Sequence, residues 1–366
     1  MKFIIVGYRD SYFWNDFGTS VRDLQIAEIL SRNYEVIFIN RPVSIYERIL
    51  HKKKCNAVYK KYSERIKFID TTSYDPFGPL KGRLWTEKCY QNIFDKVLKN
   101  HLQNRDGKKI IVIDFTPLAK LNYKKDENVY YWYDLIDNFQ IHNRFSIQEK
   151  LVVEEKYKYV NENADIITGV SNKALDFFTV GRKFVMPNGV YFESNEDANF
   201  TLAPNHQYFQ LGFVGFITDK FDIEFVNKLA EKYSIIIWGK FFDETIIKKL
   251  HSSIKIAGPF RYSNLPVIMK TFKIGLLPYL PAKSHDESPL KMYEYFKHGI
   301  PCLSSMDFEI DSVWFVNYLK LKQEELYSMI NHYLELENSE DIISSIKDDW
   351  VFDYKINEIL KKIEMN

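Results

Sequence analysis

The chain has 366 residues and a formal net charge of +1, with 46% hydrophobic and 27% charged residues. This length favours two domains, the composition is that of a folded globular protein, and the near-zero charge argues against a surface that is basic overall, as nucleic-acid binding would require. Cys55, Cys89 and Cys302 form no CxxC pair, so they indicate neither a disulfide framework nor a zinc site and fit a reducing cytoplasm.

The first half of the chain alternates short apolar strands with helices. The run FIIVG predicts a buried strand that ends at Gly7 and leads into a polar-aromatic loop. This run is too short for a signal peptide or a membrane span, so we expect a cytoplasmic protein. SVRDLQIAEILSR predicts a helix capped by Thr19 or Ser20. Further strands are predicted at YEVIFIN, RIKFID, KKIIVID, NVYYWYDL and ADIITGVS, and this alternation predicts a parallel sheet.

The pattern stops and then restarts in the second half. The polar segment ESNEDANFTLAPNHQYF lacks periodicity and predicts an interdomain linker. Strands follow at QLGFVGFI, YSIIIWGK, SIKIAGPF, FKIGLLPYL and IPCLSS. We therefore predict an N-terminal domain over 1–190, a linker over 191–207, a C-terminal domain over 208–345 and a helical segment over 346–366 that can pack back on the first domain. Ligands of such sheets bind at the carboxyl ends of the strands.

The segment SPLKMYEYFKHG predicts a helix with polar detail at its start. Ser288 is a suitable N-cap and Pro289 suits the first helical position. The free backbone N–H groups of a helix start and the charge of Lys291 both favour a phosphate. Glu294 lies about 4.5 Å further along the axis, within reach of a ribose diol of the same nucleotide. The alternative for this helix alone is a capped surface helix with a Lys–Glu pair.

The same segment resembles the donor-binding signature of GT-B glycosyltransferases, in which two acidic residues eight positions apart flank a phosphate-binding turn. Here these residues are Asp286, where Glu is usual, and Glu294, and Ser288-Pro289 replaces the usual Phe-Gly turn. The resemblance continues through ADIITGVSNKAL, VMPNGV, LGFVGFITDKFDIEFVNKLAEKY and IKIAGPFRYSNLPVIMKTFKIGLLPY, in order from about residue 129 to residue 305. It extends to bacterial enzymes of surface-polysaccharide assembly, including the teichuronic-acid type.

The resemblance implies an α/β GT-B fold of two Rossmann-like domains that face a central interdomain cleft. It also implies a hexosyltransferase that moves a sugar from a UDP-linked donor to a hydroxyl of a glycan or lipid-linked glycan acceptor. The donor-binding residues that it implies are Gly215, Lys220, Lys240, Phe260, Tyr262, Asp286, Ser288, Pro289, Leu290, Lys291 and Glu294. The alternatives are ordinary packing for the two aromatic rings and solvated surface positions for Lys220 and Lys240.

The stretch YYWYDLIDNF ends a predicted strand with two carboxylates. Asp137 is a candidate catalytic base for the acceptor hydroxyl of an inverting transferase, and its alternative role is the N-cap of the following helix. Asp134 is either catalytic or orients the loop. Gly18, Arg22 and Asp114 are predicted to bind the acceptor, and Asp114, which ends the predicted strand IIVID, is also a third candidate base.

No spacing of His, Asp and Glu typical of a metal site and no DxD motif after a strand occurs in the sequence. We therefore expect a metal-independent reaction with no cofactor beyond the nucleotide-sugar substrate. Two alternatives share this architecture: a nucleotide-sugar 2-epimerase and a non-catalytic sugar- or nucleotide-binding subunit.

Residues 46–68 carry eight basic residues against two acidic ones, interleaved with apolar and aromatic residues. Such a segment predicts peripheral attachment to an anionic membrane surface through Lys52, Lys53, Lys54, Lys60 and Lys61. The alternative is a solvated face. No nucleic-acid recognition motif accompanies the run.

Overall fold

The computed structural model of the chain describes residues 1–50, 62, 64–77, 80, 84, 86–103, 107–142, 145–193, 208–284, 288–308, 310–336 and 339–365. The chain divides into a first unit, Met1–Pro187 with Ile356–Asn366, and a second unit, Asn188–Lys355. Residues 194–207, most of the predicted linker, lie outside the described ranges.

The first unit is built on a seven-stranded parallel sheet. Its strands are β1 (Lys2–Val6), β2 (Glu35–Ile39), β4 (Ile66–Ile69), β6 (Ile110–Asp114), β7 (Val129–Leu135), β8 (Ile166–Gly169) and β9 (Lys183–Val185). They lie in the order β4-β2-β1-β6-β7-β8-β9, and β3 (Val43–Ser44) pairs with β5 (Thr72–Ser73) in a separate two-stranded sheet. The central strands are almost entirely buried and rich in Ile and Val, as expected for strands covered on both faces. The predicted parallel sheet is confirmed.

The helices of the first unit cover this sheet. They are α1 (Ser11–Phe17), α2 (Arg22–Ser31), α3 (Ile45–Leu50), α4 (Thr86–Gln103) and α5 (Ile147–Asn163). Apolar side chains of α4 and α5 pack with those of β1, β2, β6 and β7 in one hydrophobic cluster. That packing fixes where the strand ends, and the loops that follow them, lie relative to the helices.

Two predictions about the start of the chain were wrong. The polar-aromatic stretch after Gly7 contains α1, whose N-cap Asp10 accepts a hydrogen bond from the backbone N–H of Phe13 at 3.0 Å. Helix α2 is capped by neither Thr19 nor Ser20. Its N-cap position is Val21, which makes no side-chain cap bond, and every residue of α2 is buried, so tertiary packing stabilises this helix.

The second unit holds a six-stranded parallel sheet. Its strands are β10 (Phe209–Val214), β11 (Ile235–Trp238), β12 (Lys255–Gly258), β13 (Phe272–Leu277), β14 (Cys302–Ser304) and β15 (Phe315–Asn317). Their order is β12-β11-β10-β13-β14-β15. Strands β11 and β12 therefore extend the sheet on one side of β10, and strands β14 and β15 extend it on the opposite side of β13. The loops after these two neighbouring strands flank the switch point where ligands of open α/β sheets bind.

The helices of the second unit are α6 (Ile223–Ala230), α7 (Leu265–Met269), α8 (Leu290–Lys297), α9 (Gln323–Glu335) and α10 (Glu340–Ser344). A last helix, α11 (Phe352–Glu364), begins in the second unit, and its residues from Ile356 onward belong to the first. There Lys109 Nζ donates to the carbonyl oxygen of Ile363 at 3.0 Å. Within the described ranges, no helix is both long and apolar enough to cross a membrane.

Candidate active site

Two glycines shape the carboxyl edge of the second sheet. Gly215 follows β10 with φ 116°, a backbone conformation that favours glycine, and a Cβ there would lie 2.3 Å from Cε of Lys291. A Cβ on Gly239, which follows β11, would lie 1.7 Å from the carbonyl oxygen of Gly215. The absence of side chains at these two positions lets neighbouring strand ends approach and leaves room for Lys291.

The Lys291 side chain runs from α8 to the Gly215 turn. Its Nζ donates a hydrogen bond to Tyr279 Oη at 2.9 Å and lies 5.2 Å from the centroid of the Phe213 ring. Nζ of Lys220 lies 5.2 Å from the centroid of the Tyr279 ring. Both ammonium groups therefore lie near Tyr279, beside the switch point, where positive charge suits phosphate oxygens. The sequence analysis missed Tyr279, although it follows Pro278 at the end of a predicted strand.

The start of α8 differs from the prediction by one residue. Helix α8 begins at Leu290, Pro289 occupies the N-cap position, and no side chain caps the helix. Ser288 is therefore not the N-cap. Its Oγ accepts a hydrogen bond from the backbone N–H of Asn188 at 2.9 Å, and its carbonyl oxygen accepts one from Asn188 Nδ2 at 2.5 Å. Because Asn188 engages the hydroxyl, Ser288 anchors the chain before the helix instead of capping it.

Glu294 lies one turn beyond Lys291 and is only 6% exposed. Its Oε1 accepts a hydrogen bond from Tyr262 Oη at 2.5 Å. The Tyr262 ring is buried and packs beside Tyr191, with ring centroids 6.2 Å apart, and its predicted contact with a base remains a prediction. Burial and the nearby Glu294 carboxylate raise the pKa of Tyr262 well above its usual value, and the hydroxyl stays protonated at neutral pH.

A recess of about 250 Å³, part of which is open solvent, lies beside this pair. It is lined by Glu193, Tyr262, Ser263, Leu265, Pro266, Glu294, Lys297 and His298. Glu294 is therefore buried and also lines this recess.

Two other residues predicted on the donor side lie on the surface or close to it. Lys240 is exposed, and its Nζ lies 6.0 Å from the centroid of the Phe242 ring. Phe260 is half-buried in the loop after β12. Their predicted roles in holding a diphosphate and a base remain predictions.

In the first unit, Arg22 and Asp134 form a buried ion pair. Arg22 donates from Nε to Asp134 Oδ1 at 2.7 Å and from Nη2 to Oδ2 at 2.9 Å, and the two side chains are 3% and 0% exposed. Thr168 Oγ1 also donates to Asp134 Oδ2 at 2.6 Å. The ion pair joins the start of α2 to β7, and the bond from Thr168 joins Asp134 to β8. This geometry favours the orienting role of Asp134, because a proton-transfer group must reach the substrate.

Asp114 is held in a second buried network. It accepts hydrogen bonds from Tyr123 Oη at 2.7 Å and from Lys156 Nζ at 2.5 Å, and neither Asp114 nor Lys156 is exposed. The network fixes the end of β6 to helix α5. Gly18, also predicted on the acceptor side, has φ 63° and ends α1 by donating its N–H to the carbonyl of Trp14.

Asp137 lies in the loop after β7 and keeps some exposure. Its Oδ2 lies 3.7 Å from Nε2 of His142, and the two side chains are 22% and 16% exposed. His142 packs between Phe139 and Phe145, with ring centroids 6.1 and 5.3 Å away. The alternative role of Asp137 as a helix N-cap was wrong, because Ser146 caps α5. The sequence analysis missed His142, since only the folded loop brings it to the carboxylate.

Some predicted residues lie outside the described ranges. They are Asp286 and the basic-segment residues Lys52, Lys53, Lys54, Lys60 and Lys61. Among the residues that the structure does describe, no group of three or more His, Cys, Asp or Glu is arranged to hold a metal ion.

Comparison by sequence gives no relatives: no protein-family model matches the chain, and no curated protein matches it significantly. Comparison by structure does. The sucrose-phosphate synthase of Thermosynechococcus elongatus matches with a TM-score of 0.65 at 12% identity, over 100% of both chains.

Two further solved structures match along almost the whole chain. The α,α-trehalose-phosphate synthase (UDP-forming) of Burkholderia vietnamiensis has a TM-score of 0.55 at 10% identity over 100% of both chains. AviGT4, a glycosyltransferase involved in avilamycin A biosynthesis, has a TM-score of 0.55 at 10% identity and covers 99% of this chain and 96% of its own. These neighbours are GT-B glycosyltransferases. At such low identity the likeness shows the fold, and it confirms the prediction: the chain has an α/β GT-B fold with two Rossmann-like domains.

Proposed function

We propose that the chain is a glycosyltransferase that moves a sugar from a nucleotide-sugar to an acceptor hydroxyl. The observation that carries the proposal is the placement of Lys291 and Glu294 on one helix at the switch point of the second sheet. Lys291 reaches the Gly215 turn, where an ammonium group and close-lying backbone suit a diphosphate. Glu294 lies one turn further on, where a carboxylate can accept hydrogen bonds from a ribose diol. The GT-B fold of the neighbours supports this assignment.

On the donor side, the positive charge of Lys291 and Lys220 has a direct role in the reaction. When the bond between sugar and diphosphate breaks, negative charge grows on the leaving group. Fixed cations beside it stabilise the transition state more than the ground state. The ammonium groups of Lys291 and Lys220 near Tyr279 supply such charge, so we propose that the reaction needs no metal ion.

On the acceptor side, we assign deprotonation of the hydroxyl to Asp137. Of the three carboxylates predicted in the first unit, Asp114 and Asp134 are held in buried networks, whereas Asp137 is 22% exposed. A base at this position corresponds to direct displacement with inversion of the anomeric centre.

We further propose which nucleotide the donor carries and what kind of molecule accepts the sugar. UDP-sugars are the first donors to test, because one structural neighbour is a UDP-forming synthase. The acceptor that we propose is a glycan or lipid-linked glycan of surface-polysaccharide synthesis. Its support is the ordered resemblance between about residues 129 and 305.

The test combines binding with turnover. Purified protein is screened by thermal shift against UDP-, GDP-, ADP- and dTDP-sugars, because a ligand that binds only the folded state raises the melting temperature. The best donor, carrying a radiolabelled sugar, is then incubated with lipid-linked glycan acceptors, with and without EDTA. We expect transfer that requires an acceptor and persists in EDTA. Lys291→Ala should abolish the thermal shift, whereas the exposed Lys228→Ala should preserve it.

Two outcomes would contradict the proposal. A change in the sugar without any acceptor would identify an epimerase. Donor binding without a product over the whole acceptor panel would identify a binding subunit.

A further inference from the structure

We infer that Tyr262 is a positioning residue that orients the Glu294 carboxylate and thereby sets the selectivity for ribose over 2′-deoxyribose in the donor nucleotide. The inference rests on the proposed function and extends it to a residue on another element. Tyr262 lies in the 3₁₀ turn Tyr262–Asn264 after β12, whereas Glu294 lies on α8. The hydrogen bond between them joins the loop after β12 to that helix.

The position of the Tyr262 hydroxyl is fixed by burial of its ring. The side chain is 8% exposed and packs beside Tyr191, so its Oη has little freedom to move away from the carboxylate. Its raised pKa keeps the proton on the hydroxyl. Tyr262 is therefore a permanent donor at a fixed point, and Glu294 must turn one oxygen toward it.

That constraint matters because the last torsion of a glutamate side chain is broad and weakly restricted. A carboxylate without a fixed donor can present its oxygens in several directions. With Oε1 directed to Tyr262, the plane of the carboxylate is set. A carboxylate has about four lone-pair sites, so the bond from Tyr262 is compatible with further bonds from the two hydroxyls of a ribose.

The selectivity follows from the cost of an unpaired buried group. A site built to receive a substrate hydroxyl rejects the analogue that lacks it, because the site's own polar group then loses its partner. This rejection requires that the carboxylate stay in place. When it is free to rotate, it can find another partner and the penalty for the deoxy ligand falls.

The experiment measures the affinities of UDP and 2′-deoxy-UDP by calorimetry, with the GDP and ADP pairs in parallel. For the best-bound base, we expect wild-type protein to prefer the ribonucleotide by about 10-fold or more. Tyr262→Phe keeps the ring and its packing and removes only the hydroxyl, and the preference should fall to about threefold or less. The matched control, Tyr191→Phe, removes a hydroxyl from the neighbouring ring and should keep the wild-type ratio.

A ratio of two affinities separates positioning from loss of structure, because a general loosening weakens both ligands alike. Glu294→Gln removes the carboxylate charge and should also lower the ratio. A wild-type ratio in this variant would overturn the inference even if Tyr262→Phe proves unstable. An unchanged ratio in folded Tyr262→Phe, or equal binding of both ligands by wild-type protein, would overturn the inference while leaving nucleotide binding intact. Failure of wild-type protein to bind any nucleotide would overturn the proposed function and this inference together.

Discussion

Glu294 is buried and carries a charged hydrogen-bonding group. Removing it should therefore weaken the binding of a ligand that it contacts. Loss of a charged hydrogen-bond partner costs about 1–3 kcal/mol, so Glu294→Ala should weaken donor binding by that amount. Calorimetry with the donor found in the screen measures the change. Glu231→Ala, at an exposed position, is the matched control. Unchanged affinity in a folded Glu294→Ala protein would remove Glu294 from the site.

Asp137 is expected to affect turnover without affecting donor binding. A positioned acid or base contributes about 10²–10⁴-fold, and Asp137→Asn should lower transfer by a factor in this range at an unchanged donor affinity. Single-turnover transfer of the labelled sugar, beside calorimetry on the same preparation, separates the two quantities. If the variant retains near wild-type turnover, the base is another residue or the reaction proceeds with retention.

Residues that share one element could be predicted from the sequence, and residues that meet from distant elements could not. Lys291 and Glu294 are three positions apart, so helix geometry alone places them near each other. The contact between Tyr262 and Glu294 joins residues 32 positions apart. Asn188 meets Ser288 across 100 positions. No local pattern encodes such contacts, because they depend on how strands and helices pack.

At the scale of elements, the turn after β10 depends on the missing side chain of Gly215. A residue with a Cβ would be strained at the φ of 116° found here, and its Cβ would meet the Lys291 side chain. A residue held in such a conformation costs about 1–3 kcal/mol. Gly215→Ala should therefore lower the unfolding free energy by that amount and also weaken diphosphate binding. Urea denaturation and calorimetry measure the two effects.

The control for this variant is Gly181→Ala, because an added Cβ there has no atom within 4 Å. We expect it to leave both quantities close to wild type. Equal stability of Gly215→Ala and Gly181→Ala would show that the turn after β10 adapts to a side chain.

The ion pair between Arg22 and Asp134 joins α2 to the strands beside it. Removing one partner of a buried pair costs about 3–5 kcal/mol, because the other charge stays buried without compensation. Arg22→Met should therefore lower the unfolding free energy by about this amount. Replacing both partners, as in Arg22→Met with Asp134→Leu, should restore much of the loss. Chemical denaturation of the two single variants and the double variant measures the coupling between the two side chains. If the loss in the double variant equals the sum of the two single losses, each side chain stabilises the fold through other contacts.

The elements themselves could be predicted where they carry a strong local pattern. Strands such as Ile110–Asp114 are continuous apolar runs, and their burial follows from composition. Helix α1 was missed because its sequence, SYFWNDF, has no helical period. It is stabilised by the buried Trp14, whose ring meets Phe38, Tyr62 and Phe68 from other parts of the chain. Strand β15 has three half-buried residues, too few for a periodic signal.

At the scale of the whole molecule, the alternation of strands and helices was sufficient to predict the fold class. Parallel strands need crossover connections, and right-handed crossovers allow few topologies. This explains how a chain with 10–12% identity to solved GT-B structures keeps the same architecture along its length. The pattern of burial is preserved while the individual residues change, so the fold could be predicted more securely than the residues of the site.

Peripheral membrane attachment is the prediction that concerns the molecule as a whole. It rests on the sequence of residues 46–68, with eight basic residues against two acidic ones in a chain whose net charge is +1. Lys52, Lys53 and Lys54 lie outside the described residues. Each cation near an anionic surface contributes about 1 kcal/mol, and the attraction is screened within about 10 Å at 0.1 M salt. Binding should therefore require anionic lipid and weaken as salt is added.

Co-sedimentation with vesicles of phosphatidylcholine, with and without phosphatidylserine, tests this attachment. Wild-type protein should sediment only with the anionic vesicles, because the cations supply the attraction. Changing Lys52, Lys53 and Lys54 to glutamate should abolish sedimentation. The same change at Lys108, Lys124 and Lys125, which are exposed elsewhere in the first unit, alters the net charge equally and should reduce it much less. Equal sedimentation of wild type and the first triple variant would exclude this segment as the anchor, and equal losses in both triple variants would assign the attraction to net charge alone.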